Sequence, residues 1–489
     1  MQSPILTPLK PTPPSERHRV TLDDVQVKAP SSAPIARGLL GMPGRVYSDE
    51  IEKRTLRQAV MGAVFEGLFG GLCSMNVYVA LKAMGDGFER WEEAISTLMQ
   101  MLPSILMAFA MVYSSGGRVR KRRHYWLFAA FFGRLIVVVV ALFTNPFLFV
   151  GLVAFQSVVT SGIAPALNHI WGANCSPAAR GRIFTWYSVA AEIATMAGAL
   201  IAGALLDGFH FTGVPLIGDV HLYGDPLNFQ ILYPVAGLIG FVGMLWFWRV
   251  RLRFTRMHEA DTATPALRQR FKRAWQQATS LLRRDPDFRL YEFGFFLYGT
   301  AFMMTAAVVP LFFKNTLDAS YTQFSTTTVV LVQVMHLASA PVIVKFASGR
   351  RVTVVTRVPF VMLMLYPALL GLTALVAVHD KDAAMWAAYA AFALFGVAMA
   401  FIHFVWNLGP VAFAKQGSPL PYTSTHAALV GLRASVGFPI AYLMLRLFEN
   451  EVLPIFGVAV CLFFGAACVM TVLDKRLRAR GLQTNAMGR

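Results

Sequence analysis

The chain has 489 residues, 56% of them hydrophobic and only 14% charged, with a mean hydropathy of +0.53. That balance excludes an ordinary soluble domain and places the chain among polytopic membrane proteins. A formal charge of +18 would suggest nucleic acid in a soluble protein; here the cations sit between apolar runs, where they set topology and meet anionic lipid, so no nucleic-acid partner is expected.

The chain opens with Pro4, Pro8, Pro11, Pro13, Pro14, Pro30, Pro34 and Pro43, and scattered charges, so residues 1–47 are expected to be a disordered cytoplasmic tail. It lacks the apolar core and small-residue cleavage site of a secretory signal. Ser48 followed by Asp49, Glu50 and Glu52 reads as a helix N-cap with acids on the dipole-positive first turn. Six apolar runs follow, at about 60–81, 94–113, 125–143, 147–171, 183–206 and 231–247. Each is near the roughly 20 residues that an α-helix needs to cross a hydrocarbon core. Six more run over about 290–313, 321–346, 354–378, 383–413, 425–448 and 452–473.

Between the two sets lies residues 249–289, with eleven Lys or Arg. Within it, Thr264-Pro265 starts an amphipathic helix with Leu267, Phe271, Ala274, Ala278, Leu281 and Leu282 on one face, stopping at Asp285-Pro286. A helix lying on the inner leaflet explains that pattern, and a partner-binding helix is the sharper alternative. The expected organisation is a tail at 1–47, a six-helix bundle at 48–248, a basic linker at 249–289, a second bundle at 290–474 and a cytoplasmic tail at 475–489. The fold class is an all-α polytopic membrane protein with 12 transmembrane helices in two pseudo-symmetric six-helix bundles.

With both termini inside, 37 of the 44 Lys and Arg fall on the cytoplasmic side, while the outside loops keep Lys82, Arg90, Lys314 and Lys381. This asymmetry fixes cytoplasmic N and C termini. Cys73, Cys175, Cys461 and Cys468 form no CxxC or metal-spaced pair, so no disulfide framework, metal or cofactor is expected. The loop 208–229 is expected on the outside with short irregular structure.

Trp171 and Trp406 are 235 residues apart, and Gly116 and Gly349 are 233 apart, so the halves read as structural copies. Two six-helix copies joined by a cytoplasmic linker make the arrangement of a rocker-switch transporter. The chain resembles the major facilitator superfamily over residues 55–475. SSGGRVRKRR (114–123) and FASGRRVTVVTR (346–357) resemble its loop motif between helices two and three and the echo in its second half, although the first lacks the usual aspartate. WNLGPVAFA followed by YTSTHAALVGLRASVGFP resembles a pattern of a bacterial group within that superfamily. The Gly-Pro pair of drug–proton antiporters is missing from MAGALIAGALL in the fifth span.

Ionisable groups inside spans are functional candidates by default. Glu66 in the first span is the proton-coupling candidate, since burial lets a carboxylate load and release a proton as access alternates; a hydrogen bond to a neighbouring helix accounts for it as well. Glu192 in the fifth span shares that candidacy. The resemblance implies that helices one, four, seven and ten line a cavity and that two, five, eight and eleven form the interface between the halves. On that basis Glu192, His336, His426 and Arg433 are inter-bundle gating candidates, with a static structural role as the alternative. Arg134 reads as a structural partner of a neighbour or of carbonyls. Asn76, Asn168, Trp171, Tyr298, Thr300, Thr305, His403, Trp406 and Asn407 are the substrate-cavity candidates, while a belt of Trp at the inner interface is the plainer reading of the tryptophans.

The function expected is secondary active transport of a small-molecule solute, coupled to protons, by a monomer whose basic loops meet anionic lipids. No GxxxxGK[ST] loop is present, which argues against ATP-driven pumping. The alternatives are a non-transporting assembly or sensor protein on the same fold, for which the Pro-rich tail speaks, and a membrane-embedded enzyme, for which no HExxH or Asp-rich motif speaks.

Overall fold

The computed structural model describes residues 50–83, 91–114, 126–140, 146–160, 171, 174–175, 177–208, 210–211, 220–221, 227–250, 267–414 and 420–481. The tail 1–47 and nearly all of the loop 114–123 lie outside them. The first half consists of α1 (Glu50–Lys82), α2 (Glu92–Ser114), α3 (126–140), α4 (Pro146–Thr160), α5 (Pro177–Leu206) and α6 (Leu227–Trp248). The second consists of α7 (Pro286–Thr316), α8 (Tyr321–Ala347), α9 (Val352–Ala377), α10 (Lys381–Leu408), α11 (Leu420–Leu447) and α12 (Leu453–Ala479). The all-α architecture of two six-helix bundles is the one read from the apolar runs. Among the described residues, nine helices are long and apolar enough to cross a membrane. The loop between α5 and α6 carries more order than expected: His210–Phe211 pairs antiparallel with Val220–His221.

Within the first half, α1 packs against α5 and α6, and α3 packs on α6. The α1–α5 contact is made by backbone. A Cβ on Gly71 would strike the Thr195 carbonyl and Gly198, and one on Gly67 would strike the Ala191 carbonyl. In lipid, where hydrophobic burial gives no gain between helices, such close approach is what holds them together. The fifth apolar run carries a ladder of small residues, Gly198/Ala202 and Ala199/Gly203, and in α5 that ladder has a second face. A Cβ on Gly203 would meet Ser325 and Thr322 of α8, across the boundary between the halves.

In the second half, α7 packs against α11 and α12, and α9 against α10 and α12. Asp285 caps α7, accepting from the amides of Asp287 (3.2 Å) and Phe288 (3.0 Å), with Pro286 at the first helical position. At that end of the bundle, Arg476 and Arg480 of α12 grip Asp287, each at 2.9 Å. Asp474 of α12 in turn takes Arg351 at 3.0 Å and the Thr353 hydroxyl at 2.7 Å. Gly349, at φ +74°, makes the turn that delivers Arg351, so the basic loop 346–357 acts as a staple between α9 and α12.

The linker helix (Leu267–Arg284) ends at the Asp285-Pro286 stop, and its expected start at Thr264-Pro265 lies outside the described residues. It packs on α11, α7 and α2, with Leu281 and Leu282 against the core of the second half and Trp275 61% exposed.

The halves meet through α2 with α11 and α7, and through α5 with α8. α5 lies mainly on Tyr321–Leu331 of α8, and Val332–Ala347 diverges from it toward the linker end. One apolar core includes residues of both halves, such as Tyr78, Val79, Phe313, Tyr321 and Phe324, while the other is confined to the second half.

The α1–α5 crossing gives the first test. Gly71→Leu inserts a side chain where backbone touches backbone and is expected to destabilise by about 1–3 kcal/mol. Gly70→Leu, at an exposed position whose nearest neighbour is 4.0 Å away, is expected to be neutral. Thermal unfolding of the two variants in detergent checks this, and equal melting temperatures would contradict the backbone-contact account.

Candidate functional site

Three carboxylates, Glu66, Glu192 and Glu292, lie inside the apolar runs at 60–81, 183–206 and 290–313, and each meets a cation or a histidine on another helix. Glu66 of α1 is held by Arg134 of α3 in a two-pronged pair, Nη2 to Oε2 at 2.6 Å and Nε to Oε1 at 3.3 Å. The arginine reaches inward because α3 contains a π-turn at Phe131–Leu135, a local widening that re-aims one side chain. Its remaining contacts are the Gly133 carbonyl at 3.0 Å and the Phe69 ring at 4.1 Å. Arg134 is therefore the partner that the sequence left unspecified.

Glu192 of α5 and His336 of α8 face each other across the two halves, Nδ1 to Oε1 at 3.7 Å, and both are partly open. The His403 ring of α10 stands 5.6 Å from the His336 ring and 6.1 Å from Phe184 of α5. Glu192, His336, His403 and Phe184 thus form the cluster where the halves approach each other inside the spans. Asn407, exposed one turn along α10, donates to the His403 carbonyl at 2.7 Å.

Glu292 of α7 is buried between His426 (2.8 Å) and Arg433 (3.0 Å) of α11. Sequence reading passed over Glu292 because it sits two residues into the predicted span and reads as a flank. Counting charges would have found it: Arg134 and Arg433 both need an anion, and Glu66 satisfies only one. Arg433 and His426, expected to bridge the halves, bond instead within the second half, because the i,i+7 spacing turns both toward α7.

The cavity candidates divide. His403 and Asn407 are exposed, and Trp406 is half-buried with its ring 5.4 Å from His426. Trp171 is buried edge-on against Phe184 (6.0 Å) and Tyr187 (5.0 Å). Asn76 accepts from the Tyr233 hydroxyl at 2.8 Å, inside the first half. Tyr298, Thr300 and Thr305 are buried in the second half, Tyr298 stacked on Phe360 at 5.1 Å and Thr305 donating to the Ala301 carbonyl. Helix number assigns a span to the cavity but does not say which face a residue takes, and these three take the packed one. Asn168 lies outside the described residues.

Polar contacts between the halves concentrate at the end away from the linker. Tyr78 and Lys82 of α1 donate to the Ala319 carbonyl at 2.5 and 2.8 Å. Ser96 and Gln100 of α2 donate to the carbonyls of Ala307 (2.6 Å) and Ala306 (3.1 Å) on α7. Lys314 pairs with Glu92. Asp207, at the end of α5, accepts from the amides of Tyr321 (2.8 Å) and Thr322 (2.7 Å), so the first half caps a helix of the second.

The sequence profile of the Major Facilitator Superfamily matches residues 63–418. No curated protein matches the sequence. Among solved structures, the nucleoside transporter NupG shares 12% identity, covering 86% of this chain and 98% of its own, with a TM-score of 0.58. A D-xylose-proton symporter shares 12% identity over 86% of this chain and 97% of its own, at 0.59. A bacterial homologue of the human lysosomal transporter Spinster, inward-facing and occupied, shares 11% identity over 88% of this chain and 98% of its own, at 0.57. At these identities the likeness is one of fold.

Asp207 supplies the second test. α8 keeps its own cap, since Ser320 and Gln323 form a capping box, so Asp207→Ala loosens the seal without unwinding the helix. A cysteine placed at buried Ala319 is expected to react several-fold faster with a membrane-impermeant maleimide in that variant. An unchanged rate would mean that the cap does not hold the halves closed.

Proposed function

This chain belongs to the Major Facilitator Superfamily, and on that premise we propose that it moves a small solute across the membrane by rocker-switch alternating access, coupled to protons. It is a multi-pass membrane protein, and its family and structural neighbours are transporters rather than enzymes. The observation that carries the proton reading is the bidentate Glu66–Arg134 pair, whose side chains are 15% and 4% exposed.

Removing one partner of a buried pair leaves the other uncompensated, at a cost of about 3–5 kcal/mol. Protonating Glu66 is a reversible form of that removal. Arg134 then keeps a neutral carboxyl oxygen, the Gly133 carbonyl and the Phe69 ring but no counter-charge, and the arrangement becomes stable only if water reaches it. Proton loading is thereby tied to access. Glu192 and His336 serve in this reading as the contact that makes and breaks between the halves: at 3.7 Å and partly open, it is weak enough to part.

The positive-inside pattern puts the linker in the cytoplasm, so the sealed end faces outward, and the divergence of α5 and α8 toward the linker supports a cleft that opens inward. His403 and Asn407, together with Glu192, give the cleft hydrogen-bonding groups suited to a polar solute. The basic linker helix, with Arg268 and Lys272 exposed beside Trp275, suits an anionic leaflet. The transporter works as a monomer in this reading.

Proteoliposomes enclosing a pH-sensitive dye provide the test, with nucleosides, pentoses, organic anions, amino acids and amphipathic cations added outside in turn. One class is expected to move protons, and Glu66→Gln is expected to reduce that movement to background while Glu66→Asp retains part of it. Undiminished proton movement in Glu66→Gln would remove Glu66 from coupling, and solute flux without protons would leave a uniporter.

A further inference from the structure

The motif residues Trp406, Gly409, His426 and Arg433, which the cleft does not absorb, converge on two neighbours in α7, Tyr291 and Glu292. Each oxygen of Glu292 holds one partner: Oε1 meets His426 Nδ1 at 2.8 Å, and Oε2 meets Arg433 Nη2 at 3.0 Å. The three side chains are at most 3% exposed. Trp406 stands 5.4 Å from the imidazole, and Phe295 lies edge-on to it at 4.8 Å while facing the guanidinium at 5.5 Å. A side chain at Gly409 would run into the Tyr291 hydroxyl, which donates to the Val405 carbonyl at 3.3 Å. Among the described residues, His426 Nε2 and Arg433 Nε are buried without a hydrogen-bond partner.

The charge count is informative. An ionised Glu292, an ionised Arg433 and a neutral His426 that donates from Nδ1 give both carboxylate oxygens a donor and leave no net charge. One further proton has two destinations, His426 Nε2 or Glu292 itself, and either leaves the site with a net positive charge. Among the described residues, the other titratable groups facing it are Tyr291 and Tyr298 of α7, neither of which is an anion that would balance it. A lone charge in such surroundings is strongly disfavoured unless water enters. A proton therefore binds well only when α7 and α11 part enough to hydrate the site. Both helices pack on α2 of the other half, so parting them changes the contact between the halves.

We propose that Glu292, His426 and Arg433 form a second proton-carrying site, in the second half, whose occupancy biases the equilibrium between the two access states. This rests on the alternating-access reading but not on Glu66. The bound proton is shared between His426 and Glu292, and its release restores the neutral, buried triad.

The test is a distance across the end away from the linker, measured by pulsed electron spin resonance in nanodiscs. Spin labels go on Trp91→Cys and Lys381→Cys, both exposed, with the exposed Cys461 and Cys468 replaced by Ser. Between about pH 5 and 8, where an imidazole titrates, the wild-type distribution is expected to shift toward a longer or shorter population. His426→Asn, whose amide mimics the Nδ1 donor without taking a proton, and Glu292→Gln are each expected to abolish the shift, while Arg433→Lys and Glu66→Gln retain it. The double variant Glu292→Gln/Arg433→Gln, which buries no charge, guards against loss of folding and is expected to be pH-insensitive as well. A shift that persists in His426→Asn and in the double variant overturns the proposal, as does a wild-type distribution that ignores pH. If Glu66→Gln alone removes the shift, this site falls and the Glu66 reading stands; if only the triad variants remove it, this site stands, and the Glu66 reading is decided separately by proton movement in Glu66→Gln proteoliposomes.

Discussion

A charge placed inside a membrane span has to find its counter-charge on a neighbouring helix, because hydrocarbon offers nothing else to solvate it. That constraint organises this molecule. Glu66 ties α1 to α3, Glu292 ties α7 to α11, and Glu192 reaches from α5 to α8. The first two pairs lie within a half and are close, charge-assisted and buried. The third crosses between the halves, is longer, and uses a histidine that carries charge only when protonated. Of these three, the closest pairs thus sit within a half, and the one that crosses between the halves is the longest.

The rest of the packing follows the same division. Within the second half, α12 is pinned at the linker end to α7 through Asp287 and to α9 through Asp474. Within the first, α1 and α5 touch backbone to backbone. Between the halves, the bonds at the far end include donors to the carbonyls of Ala319 and Ala306, the amides of Tyr321 and Thr322 donating to Asp207, and the Lys314–Glu92 pair. Each such group finds water once the seal opens, so breaking a neutral one costs roughly 0.5–1.5 kcal/mol and one to a charged group about 1.5–3 kcal/mol. Two stiff bodies joined by many small, water-replaceable bonds can exchange between two arrangements without unfolding either.

Much of this was legible in the sequence. Among the described residues, hydropathy gave the spans to within a few residues at most ends, and the end of the linker helix was readable from the Asp285-Pro286 stop, because those residues act locally. Facing was not legible. Tyr298, Thr300 and Thr305 lie on a cavity-lining helix by number yet point into the bundle, since a helix that is apolar on every side carries no periodic signal to say which face meets water. The π-turn that aims Arg134 has no sequence mark either, and Glu292 escaped notice because it stands at the edge of an apolar run. The small-residue ladder of α5 was readable as a packing device, but not that one face serves α1 and the other α8.

The two halves repeat in fold but not in chemistry. Each first helix carries a buried glutamate, Glu66 in α1 and Glu292 in α7, yet the arginine that answers it comes from the third helix in one half and from the fifth in the other. The difference matters for motion. α3 packs on α6 in the first half, so the Glu66–Arg134 pair is internal to one body. α11 packs on α2, so the Glu292–Arg433 pair includes a helix that also forms the boundary between bodies. A change of charge at the first pair alters what the cavity helix α1 offers, whereas a change at the second is felt directly at the boundary. One architecture, copied, has in this way placed two similar ion pairs at mechanically different positions.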